Sequence, residues 1–317
     1  MAMNEVCVIG GSRYFGKHLI QRLLAAGVGV TVLNRGSVPA PPGATHVVAD
    51  RDDEAALNAA LGSRRFDIVL DQVCYTSRQA DIARRVFTGR TGRYVMTSTI
   101  EVYDPLSSPH LVAAAPGIPV GEGTIDLATW PVNFDLPWHD PVFRDGAYGE
   151  GKRQAEAVLS HAGFAFASVR SAHVVGGGAA DFTGRLRHYA DRLRTGEPVV
   201  VRKVNHASSF ITDRQIAEVL LWACAADFTG PVNAAGGQLD VFAICDALAA
   251  AGAGEPSYTV AAPGGEASPY AFDRWYAMDT SRAETLGFLF TDPAQWLPEV
   301  AAEALGTVTE TAGQAAA

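Results

Sequence analysis

The first hundred residues alternate between short apolar runs and longer segments with helical spacing. The apolar runs lie at 6–10, 29–34, 45–50, 66–71 and 93–98. The helical segments lie between them, at 15–26, 53–61 and 77–88. Strands that alternate with helices predict βαβ units around a parallel sheet, and continuous apolar runs predict strands buried on both faces. The pattern therefore predicts an α/β protein with a doubly wound parallel sheet of the Rossmann type.

The alternation stops at residues 104–146 and then resumes. This stretch is rich in proline and glycine, and segments of this length without regular structure are usually functional or disordered. Its aromatic residues are candidates for a lid, an apolar pocket wall or a minor core beneath a long loop; they are Trp130, Phe134, Trp138 and Phe143. Beyond it, helices are predicted near 147–162, 181–195, 213–225, 239–251, 280–286 and 293–305, and strands at 164–170 and 257–261.

The pattern also predicts how the chain divides. Residues 1–172 and about 205–238 are expected to form the nucleotide-binding Rossmann domain. A smaller α/β subdomain that binds the substrate is expected from about 173–204 and 239–308. Residues 309–317 are small and polar, which predicts a flexible tail.

Composition and charge exclude several classes of function. The 317 residues include 34 acidic and 25 basic ones, for a net charge of −9, and no basic run marks a nucleic-acid surface. No run reaches the roughly 18 apolar residues of a membrane span, and the N-terminus lacks a signal peptide. The four cysteines lie far apart, which predicts reduced thiols and neither a metal site nor a disulfide framework. We expect a cytoplasmic protein with a small-molecule partner.

A glycine-rich turn follows the first strand and opens the first helix. It reads GGSRYFGKHL, residues 10–19. Small residues at this point let the backbone approach a pyrophosphate, and the N-terminus of the helix donates N–H groups to it. The position directly after a strand is the context that this pattern requires. The expected nucleotide contacts are Gly10, Gly11, Ser12, Arg13, Tyr14, Phe15 and Gly16.

The end of the second strand bears on which nucleotide is bound. An acid at this point contacts the ribose 2′-hydroxyl of NAD, whereas arginine suits the 2′-phosphate of NADP. The sequence has Asn34 and Arg35 here, and Arg13 lies in the glycine turn. We therefore expect NADP, with NAD as the less favoured cofactor. Asp50 ends the third strand, where it would contact the adenine amine or cap the next helix.

One of the three lysines of the chain lies four residues after a tyrosine, in YGEGK, residues 148–152. On a helix, Tyr148 and Lys152 share one face. A nearby ammonium favours the phenolate and is expected to lower the pKa of Tyr148, so that the phenol exchanges protons while a nicotinamide transfers a hydride. The fifth strand ends in three hydroxyl residues, Thr97, Ser98 and Thr99, one of which would hold the reacting oxygen.

Together these segments resemble the extended short-chain dehydrogenase/reductase superfamily, also called the NAD-dependent epimerase/dehydratase family, in its subgroup with GGTRFIG-like loops. The resemblance covers about 4–305 and is carried by GGSRYFG, VLNRG, ADRDD, TSTIEVY, YGEGK and DTSRAETLGF. It implies acid/base catalysis by Tyr148 and Lys152, with Lys152 also on the nicotinamide ribose and Thr99 as the hydroxyl residue.

The resemblance implies further contacts. On the cofactor these are Asp50, Arg51, Gln72, Val73, Cys74, Thr97, Ser171 and His173, and on the substrate they are Thr99, Tyr103, Trp138, Tyr148 and His173. The arginines that clamp the diphosphate in UDP-galactose 4-epimerases are absent from the matching places, where Ser208 stands near the first position and segment 268–272 near the second. Arg202 or Arg274 would have to compensate for them if the substrate were a UDP-sugar, and the simpler interpretation is a different substrate.

The function expected from these features is an NADP-dependent oxidoreductase that interconverts a carbonyl and a secondary alcohol. The first alternative is an NAD(P)-dependent sugar epimerase or dehydratase that uses the same residues. An alternative of another class is a non-catalytic nucleotide-binding scaffold. The sequence leaves the oligomeric state open; members of this superfamily often form a homodimer through a helix pair, which here would involve 77–88 and 147–162.

Overall fold

The computed structural model describes residues 3–115 and 117–306. The tail predicted at 309–317 lies outside these residues. No helix among them is both long and apolar enough to cross a bilayer.

The secondary structure follows the predicted alternation of strands and helices. The strands are β1 Glu5–Ile9, β2 Gly29–Asn34, β3 Thr45–Val48, β4 Phe66–Asp71, β5 Thr91–Thr99, β6 Ala165–Ser171, β7 His173–Val175, β8 Val199–Val201, β9 Ser208–Thr212, β10 Gly230–Ala234, β11 Gly237–Leu239 and β12 Tyr258–Val260. The α-helices are α1 Phe15–Ala25, α2 Glu54–Leu61, α3 Ser77–Phe87, α4 Pro141–Gly146, α5 Tyr148–Ser160, α6 Arg185–Thr195, α7 Asp213–Ala225, α8 Val241–Ala250, α9 Ser281–Thr285 and α10 Pro293–Ala304.

A seven-stranded sheet forms the centre of the molecule. Its strand order is β10-β6-β5-β4-β1-β2-β3, and neighbouring strands run parallel. The first strand is apolar and almost wholly buried, which is the behaviour of a strand covered on both faces. Helices α1 and α7 pair with each other, and α3 pairs with both α2 and α5. The predicted Rossmann-type α/β fold is confirmed.

A second and smaller core lies beyond the carboxyl end of β6. Strands β7, β9 and β11 form a three-stranded sheet there, and β8 pairs with β12. Buried side chains of α6, α8 and α10 pack with these strands. Residues Tyr276, Met278 and Ala283 return to the first core. The sequence did not predict β7, β8, β9, β10 or β11, which are five residues long or shorter.

Segment 104–146 packs against the outer surface of α3 and α5. The carbonyl of Asn133 accepts hydrogen bonds from Ser77 at 3.3 Å and from the Trp138 indole at 3.0 Å, and the Asn133 amide donates to Gln154 at 2.9 Å. Trp138 is only 3 % exposed, and its ring contacts Gly151 of α5. The segment therefore covers part of the surface at which two chains were predicted to pair, and Trp138 has the surroundings of a packing residue.

Candidate active site

The glycine turn after β1 has a shape that only glycine allows. Gly10 and Gly11 adopt φ angles of +81° and +73°. A Cβ at Gly10 would lie 2.8 Å from Val73, and one at Gly16 would lie 2.5 Å from the Cα of Gly11. The turn thus brings bare backbone to the start of α1, which is the arrangement that receives a pyrophosphate. The residues present fit a dinucleotide.

Tyr14 adds a strained point to this turn. Its φ angle of 50° is the only positive value of a non-glycine residue among the described ones. Its hydroxyl donates to the carbonyl of Gly176 at 3.1 Å. Burial raises the pKa of its phenol. Tyr14 therefore ties the turn to the segment that leads into α6, and the neighbouring Phe15 begins α1 and packs against its ring.

The end of β2 is fixed by Asn34. Its side-chain amide donates to the Ser12 hydroxyl at 3.0 Å and to the Val38 carbonyl, and its oxygen accepts from the Gly36 amide at 2.7 Å. On either side of this contact lie Arg13 and Arg35. Both are exposed, and within the described part of the chain neither guanidinium has a hydrogen bond or an ion pair. Two unpaired cations thus flank the position where an adenosine ribose is expected.

The two residues after β3 behave differently from each other. Asp50 is exposed and accepts a hydrogen bond from the Asp52 amide, while the cap of α2 is Asp53. Capping by Asp50 was therefore a wrong prediction. Arg51 is buried, and its guanidinium donates to both oxygens of Asp71 at 2.8 Å. Through these hydrogen bonds the Arg51 side chain holds the end of β4 in place. The charge of Arg51 is therefore already paired inside the protein.

The ends of β4 and β5 supply polar atoms without partners. Gln72 and Val73 are half-buried against the glycine turn. Among the described residues, Gln72 Nε2 and Thr97 Oγ1 are buried and form no hydrogen bond. Buried polar groups normally find a partner, so these two atoms mark where a bound molecule would satisfy the chain. Cys74 is fully buried, which raises its pKa to about 11.

Thr99, Tyr148 and Lys152 come together at the carboxyl end of β5. The Lys152 ammonium donates to the Thr97 carbonyl at 2.7 Å, and it lies 5.8 Å from the ring centroid of Tyr148. Burial raises the pKa of Tyr148, and a hydrogen bond with the Thr99 hydroxyl opposes this rise. The Thr99 hydroxyl also accepts from the Glu101 amide at 3.2 Å. Tyr148 and Lys152 were predicted from their spacing after the nucleotide-binding half of the chain, and Thr99 from the family resemblance.

The glycines of YGEGK explain how α5 reaches this position. A Cβ at Gly149 would lie 2.3 Å from the Glu101 carbonyl oxygen. A Cβ at Gly151 would lie 2.2 Å from the Tyr75 carbonyl oxygen. The first turn of α5 therefore packs directly against the backbone at Glu101 and Tyr75. Only glycine leaves room for this contact. This close contact determines how deeply Tyr148 and Lys152 are buried in the protein.

The electrostatics of the pair differ from the expectation. Burial is the largest influence on both groups: it raises the pKa of Tyr148, and it lowers the pKa of Lys152 from 10.5 to about 8. The predicted lowering of the phenol pKa by the ammonium was wrong for the free protein, because burial raises this pKa and the influences that oppose the rise come from Thr99 and Arg185. At neutral pH the phenol is protonated and Lys152 is mostly charged.

His173 forms an aromatic wall with Phe210, Tyr270 and Phe272. Its ring stacks on Phe272 at 4.8 Å and lies 5.5 Å from Phe210 and 6.3 Å from Tyr270. Burial lowers the pKa of His173 to about 3, so the imidazole is neutral. Its Nε2 has no hydrogen-bond partner among the described residues. Ser171, just before it, is buried, and its hydroxyl donates to the Ala172 carbonyl.

Tyr103 is held inside the protein and does not join this wall. Its hydroxyl donates to Asn233 at 2.7 Å and accepts from Arg170 at 2.9 Å. Arg170 also forms a fully buried ion pair with Glu156 at 2.6 Å. The hydroxyl of Tyr103 is therefore used by the core, which corrects its prediction as a substrate contact.

Two charged residues of the cleft were missed by sequence reasoning. Glu101 accepts a hydrogen bond of 3.4 Å from the Tyr276 hydroxyl, and burial raises its pKa. Arg185 is the first residue of α6, and its charge opposes the rise of the Tyr148 pKa. Position 101 lies two residues after Thr99 in TSTIEVY, so the motif contained a signal for Glu101. Arg185 is one of many arginines, and no sequence pattern distinguishes it from the others.

Comparison with known proteins agrees with the N-terminal half of this site. Residues 6–91 match the profile of the NAD dependent epimerase/dehydratase family. This confirms the predicted resemblance to that family over these residues, while the subgroup with GGTRFIG-like loops stays a prediction. A search of curated proteins finds no match.

Solved structures show the same fold over nearly the whole chain. WbmH of Bordetella bronchiseptica, solved with NAD+, has 20 % identity and a TM-score of 0.69, covering 96 % of this chain and 98 % of that one. The UDP-glucose 4-epimerase of Thermus thermophilus, solved with NAD, has 19 % identity and a TM-score of 0.70, covering 96 % and 100 %. The UDP-N-acetylglucosamine 4-epimerase of Methanobrevibacter ruminantium, solved with UDP-N-acetylmuramic acid, has 18 % identity and a TM-score of 0.70, covering 96 % and 98 %.

Proposed function

We propose that this chain is a pyridine-nucleotide-dependent enzyme of the epimerase/dehydratase type that acts on a secondary alcohol of a small molecule. The observation that carries the proposal is the meeting of Thr99, Tyr148 and Lys152 beside the glycine turn. These groups lie at the carboxyl end of a parallel strand, where ligands of open α/β sheets bind.

The glycine turn and the polar atoms behind it would hold the nucleotide. Gly10, Gly11 and Gly16 would carry the pyrophosphate on bare backbone. Gln72 Nε2 and Thr97 Oγ1 would find partners in the bound molecule. When bound, the nicotinamide supplies the hydride chemistry at the carbon that bears the reacting oxygen.

Tyr148 is the proton-transfer group of the proposal. In the free protein its raised pKa keeps the phenol protonated at neutral pH, the form that donates to a carbonyl oxygen, whereas oxidation of a secondary alcohol needs the phenolate to accept the hydroxyl proton. The Thr99 hydroxyl holds the same oxygen and favours the phenolate through its hydrogen bond. Lys152 is anchored on the Thr97 carbonyl and adds a positive charge beneath the phenol. Proton transfer in either direction thus uses groups that the fold has already positioned.

The nucleotide that we propose is NADP. Some of the solved relatives contain NAD, but the acid that contacts the NAD ribose is replaced here by Asn34, whose side chain is fully used within the chain. Arg13 and Arg35 are exposed and unpaired at the same place, within the described residues. Two free guanidinium groups favour an additional phosphate.

Glu101 favours the epimerase/dehydratase type over simple carbonyl reduction. Its carboxyl lies close enough to Tyr148 to raise the pKa of the phenol, and its own pKa is raised by burial. Reduction of a carbonyl needs one proton donor, which Tyr148 supplies. A second acid/base group in the cleft is what elimination of water from a substrate requires.

Net oxidoreduction with NADPH is the second candidate. It is favoured by the two free arginines, because a separate pool of NADP suits an enzyme that consumes its cofactor. The two candidates differ in a simple readout. Net oxidoreduction changes the absorbance of reduced nicotinamide in proportion to the product formed, whereas epimerisation or dehydration leaves it unchanged after many turnovers.

The substrate that we propose is not a UDP-sugar, although several solved relatives are UDP-sugar 4-epimerases. Ser208 is fully buried and bonds the Tyr276 carbonyl. The two arginines expected to compensate are also occupied: Arg202 donates to the Ala271 carbonyl, and Arg274 pairs with Asp104 at 2.9 Å. A diphosphate would therefore find no free cation at these positions.

The test compares Tyr148→Phe with wild type on a panel of secondary alcohols and UDP-sugars. Formation of reduced nucleotide in the presence of NADP+ is followed by absorbance, and epimerised or dehydrated products are followed by chromatography. The variant should lose at least about 100-fold in rate and should still bind NADPH. Tyr258→Phe, on the exposed strand β12, is the matched control and should behave as wild type. Wild-type rates in Tyr148→Phe would overturn the proposal.

A further inference from the structure

The first residue of α6 is an arginine whose side chain is exposed. Gly184 adopts a left-handed conformation and the helix begins at Arg185. Four residues later, Tyr189 stacks on Tyr270 with ring centroids 5.8 Å apart and an interplanar angle of 2°. Residues four apart share one face of a helix, so Arg185 lies on the face of α6 that meets the aromatic wall. Helical side chains also lean towards the N-terminus, which carries Arg185 beyond Tyr189 and over the cleft.

The segment before α6 fixes the other side of this position. Phe182 lies edge-on to Tyr14 at 6.2 Å, and a Cβ at Gly177 would lie 2.8 Å from the same ring. The Tyr14 hydroxyl bonds the Gly176 carbonyl. Residues 176–185 therefore pass directly over the glycine turn. Arg185 follows at the point where this crossing ends, between the nucleotide side of the cleft and the aromatic wall.

The charge of Arg185 reaches both sides. It opposes the rise in pKa of Tyr14 and Tyr148 on the nucleotide side. It also lowers the pKa of His173 and opposes the rise of the Tyr270 pKa on the wall. The Arg185 guanidinium is thus close enough to interact electrostatically with groups on several separate elements. These elements surround one space.

Arg185 has no charged partner of its own. Across residues 3–115 and 117–306 no carboxylate forms an ion pair with it, while Arg187, two residues on, pairs with Asp191 at 3.7 Å. The nearby Asp181 accepts hydrogen bonds from Thr183. The Arg185 guanidinium hydrogen-bonds the Tyr270 phenol, and His173 Nε2 is buried nearby with no hydrogen-bond partner among the described residues. An arginine without a carboxylate partner and an unsatisfied imidazole nitrogen indicate a polar ligand at this point.

We propose that Arg185 recognises the substrate, and that the substrate carries an oxyanion, a carboxylate or a phosphate ester, on a ring that lies against His173 and Phe272. Guanidinium binds both kinds of oxyanion with paired hydrogen bonds. The N-terminal end of α6 adds partial positive charge at the same place. Stacked aromatic rings favour a flat or alicyclic body. This inference rests on the proposed function, since it places the anion beside Tyr148.

The experiment uses the full chain saturated with NADP+, so that the phosphate sites of the nucleotide are already filled. Benzoate, phenyl phosphate and the neutral benzyl alcohol are titrated by calorimetry. One of the two anions should bind wild type at least about tenfold more tightly than benzyl alcohol, which is the size of one charge-assisted contact. Arg185→Gln should remove this preference. Arg187→Gln, on the same helix, should keep it, and the better of the two anions tells carboxylate from phosphate ester.

Three results would overturn the inference: no preference for an anion in wild type, an unchanged preference in Arg185→Gln, or a loss of NADP+ affinity in that variant in place of anion affinity. The last result would assign Arg185 to the nucleotide. Failure of the proposed function shows itself earlier and separately, as the absence of NADP+ uptake before any anion is added.

Discussion

The ammonium of Lys152 donates a hydrogen bond to the carbonyl of Thr97 at 2.7 Å. A backbone carbonyl neutralises no charge, and the side chain is 1 % exposed. The hydrogen bond therefore holds the lysine in place without neutralising its charge. Burial disfavours the charged form, which lowers the pKa of Lys152 to about 8. A bound ligand that satisfies the ammonium would raise this pKa again.

The lowered pKa of Lys152 predicts how stability changes with pH. Between pH 8 and 10.5 the unfolded chain keeps this proton and the folded chain does not, so the free energy of unfolding rises with pH across this window. The full shift corresponds to about 3 kcal/mol. Urea unfolding of wild type and Lys152→Met at pH 7.5 and 10, both within the range of ordinary buffers, should show wild type gaining stability relative to the variant. Parallel curves for the two proteins would contradict the buried, charged lysine.

The two free arginines predict the cofactor preference. Arg35→Asp should weaken NADPH binding and spare NADH, because it removes one cation and adds an acid beside the ribose. The ratio of the two dissociation constants should change by at least about tenfold. Arg22→Asp is the control, since Arg22 lies at the end of α1 and pairs with Glu218 at 2.6 Å. An NADPH to NADH ratio that stays at the wild-type value would refute the 2′-phosphate assignment.

The close contact beneath α5 at Gly151 predicts that a larger side chain at this position destabilises the protein. Gly151→Ala places a methyl group 2.2 Å from the Tyr75 carbonyl oxygen, so the helix must move away. Overpacking of this kind costs about 1–3 kcal/mol in the free energy of unfolding. Turnover should fall as well, since Tyr148 and Lys152 move with the helix. The control is Gly146→Ala, where nothing lies within 4 Å. If both variants matched wild type in urea unfolding, the close contact would not exist.

The sequence predicted the parts of this protein that depend on local pattern. The strands of the main sheet up to β6 and the helices between them follow from apolar runs and helical spacing, and α5 begins at Tyr148 as expected. The meeting of Thr99 with Tyr148 follows from a strand end and a helix start that the parallel sheet brings to one edge.

The predictions that were wrong concern side chains whose partners lie far away in the sequence. The partners of Arg51 and Tyr103 are Asp71 and Asn233, which lie 20 and 130 positions away in the chain. No local pattern shows that these side chains are already paired. For Trp138 the sequence left open a pocket wall and a minor core beneath a long loop; its indole donates to the Asn133 carbonyl and packs on α5, which favours the second. Arg185 became visible only when α6 was seen next to the aromatic wall.

The most direct test of the central claim is a titration of the purified protein with NADPH and NADH, followed by the fluorescence of the reduced nicotinamide. We expect saturable binding of one nucleotide per chain, with NADPH bound more tightly than NADH. Binding should be unchanged in Tyr148→Phe, because the phenol acts on the substrate oxygen. A protein that takes up neither nucleotide would contradict it.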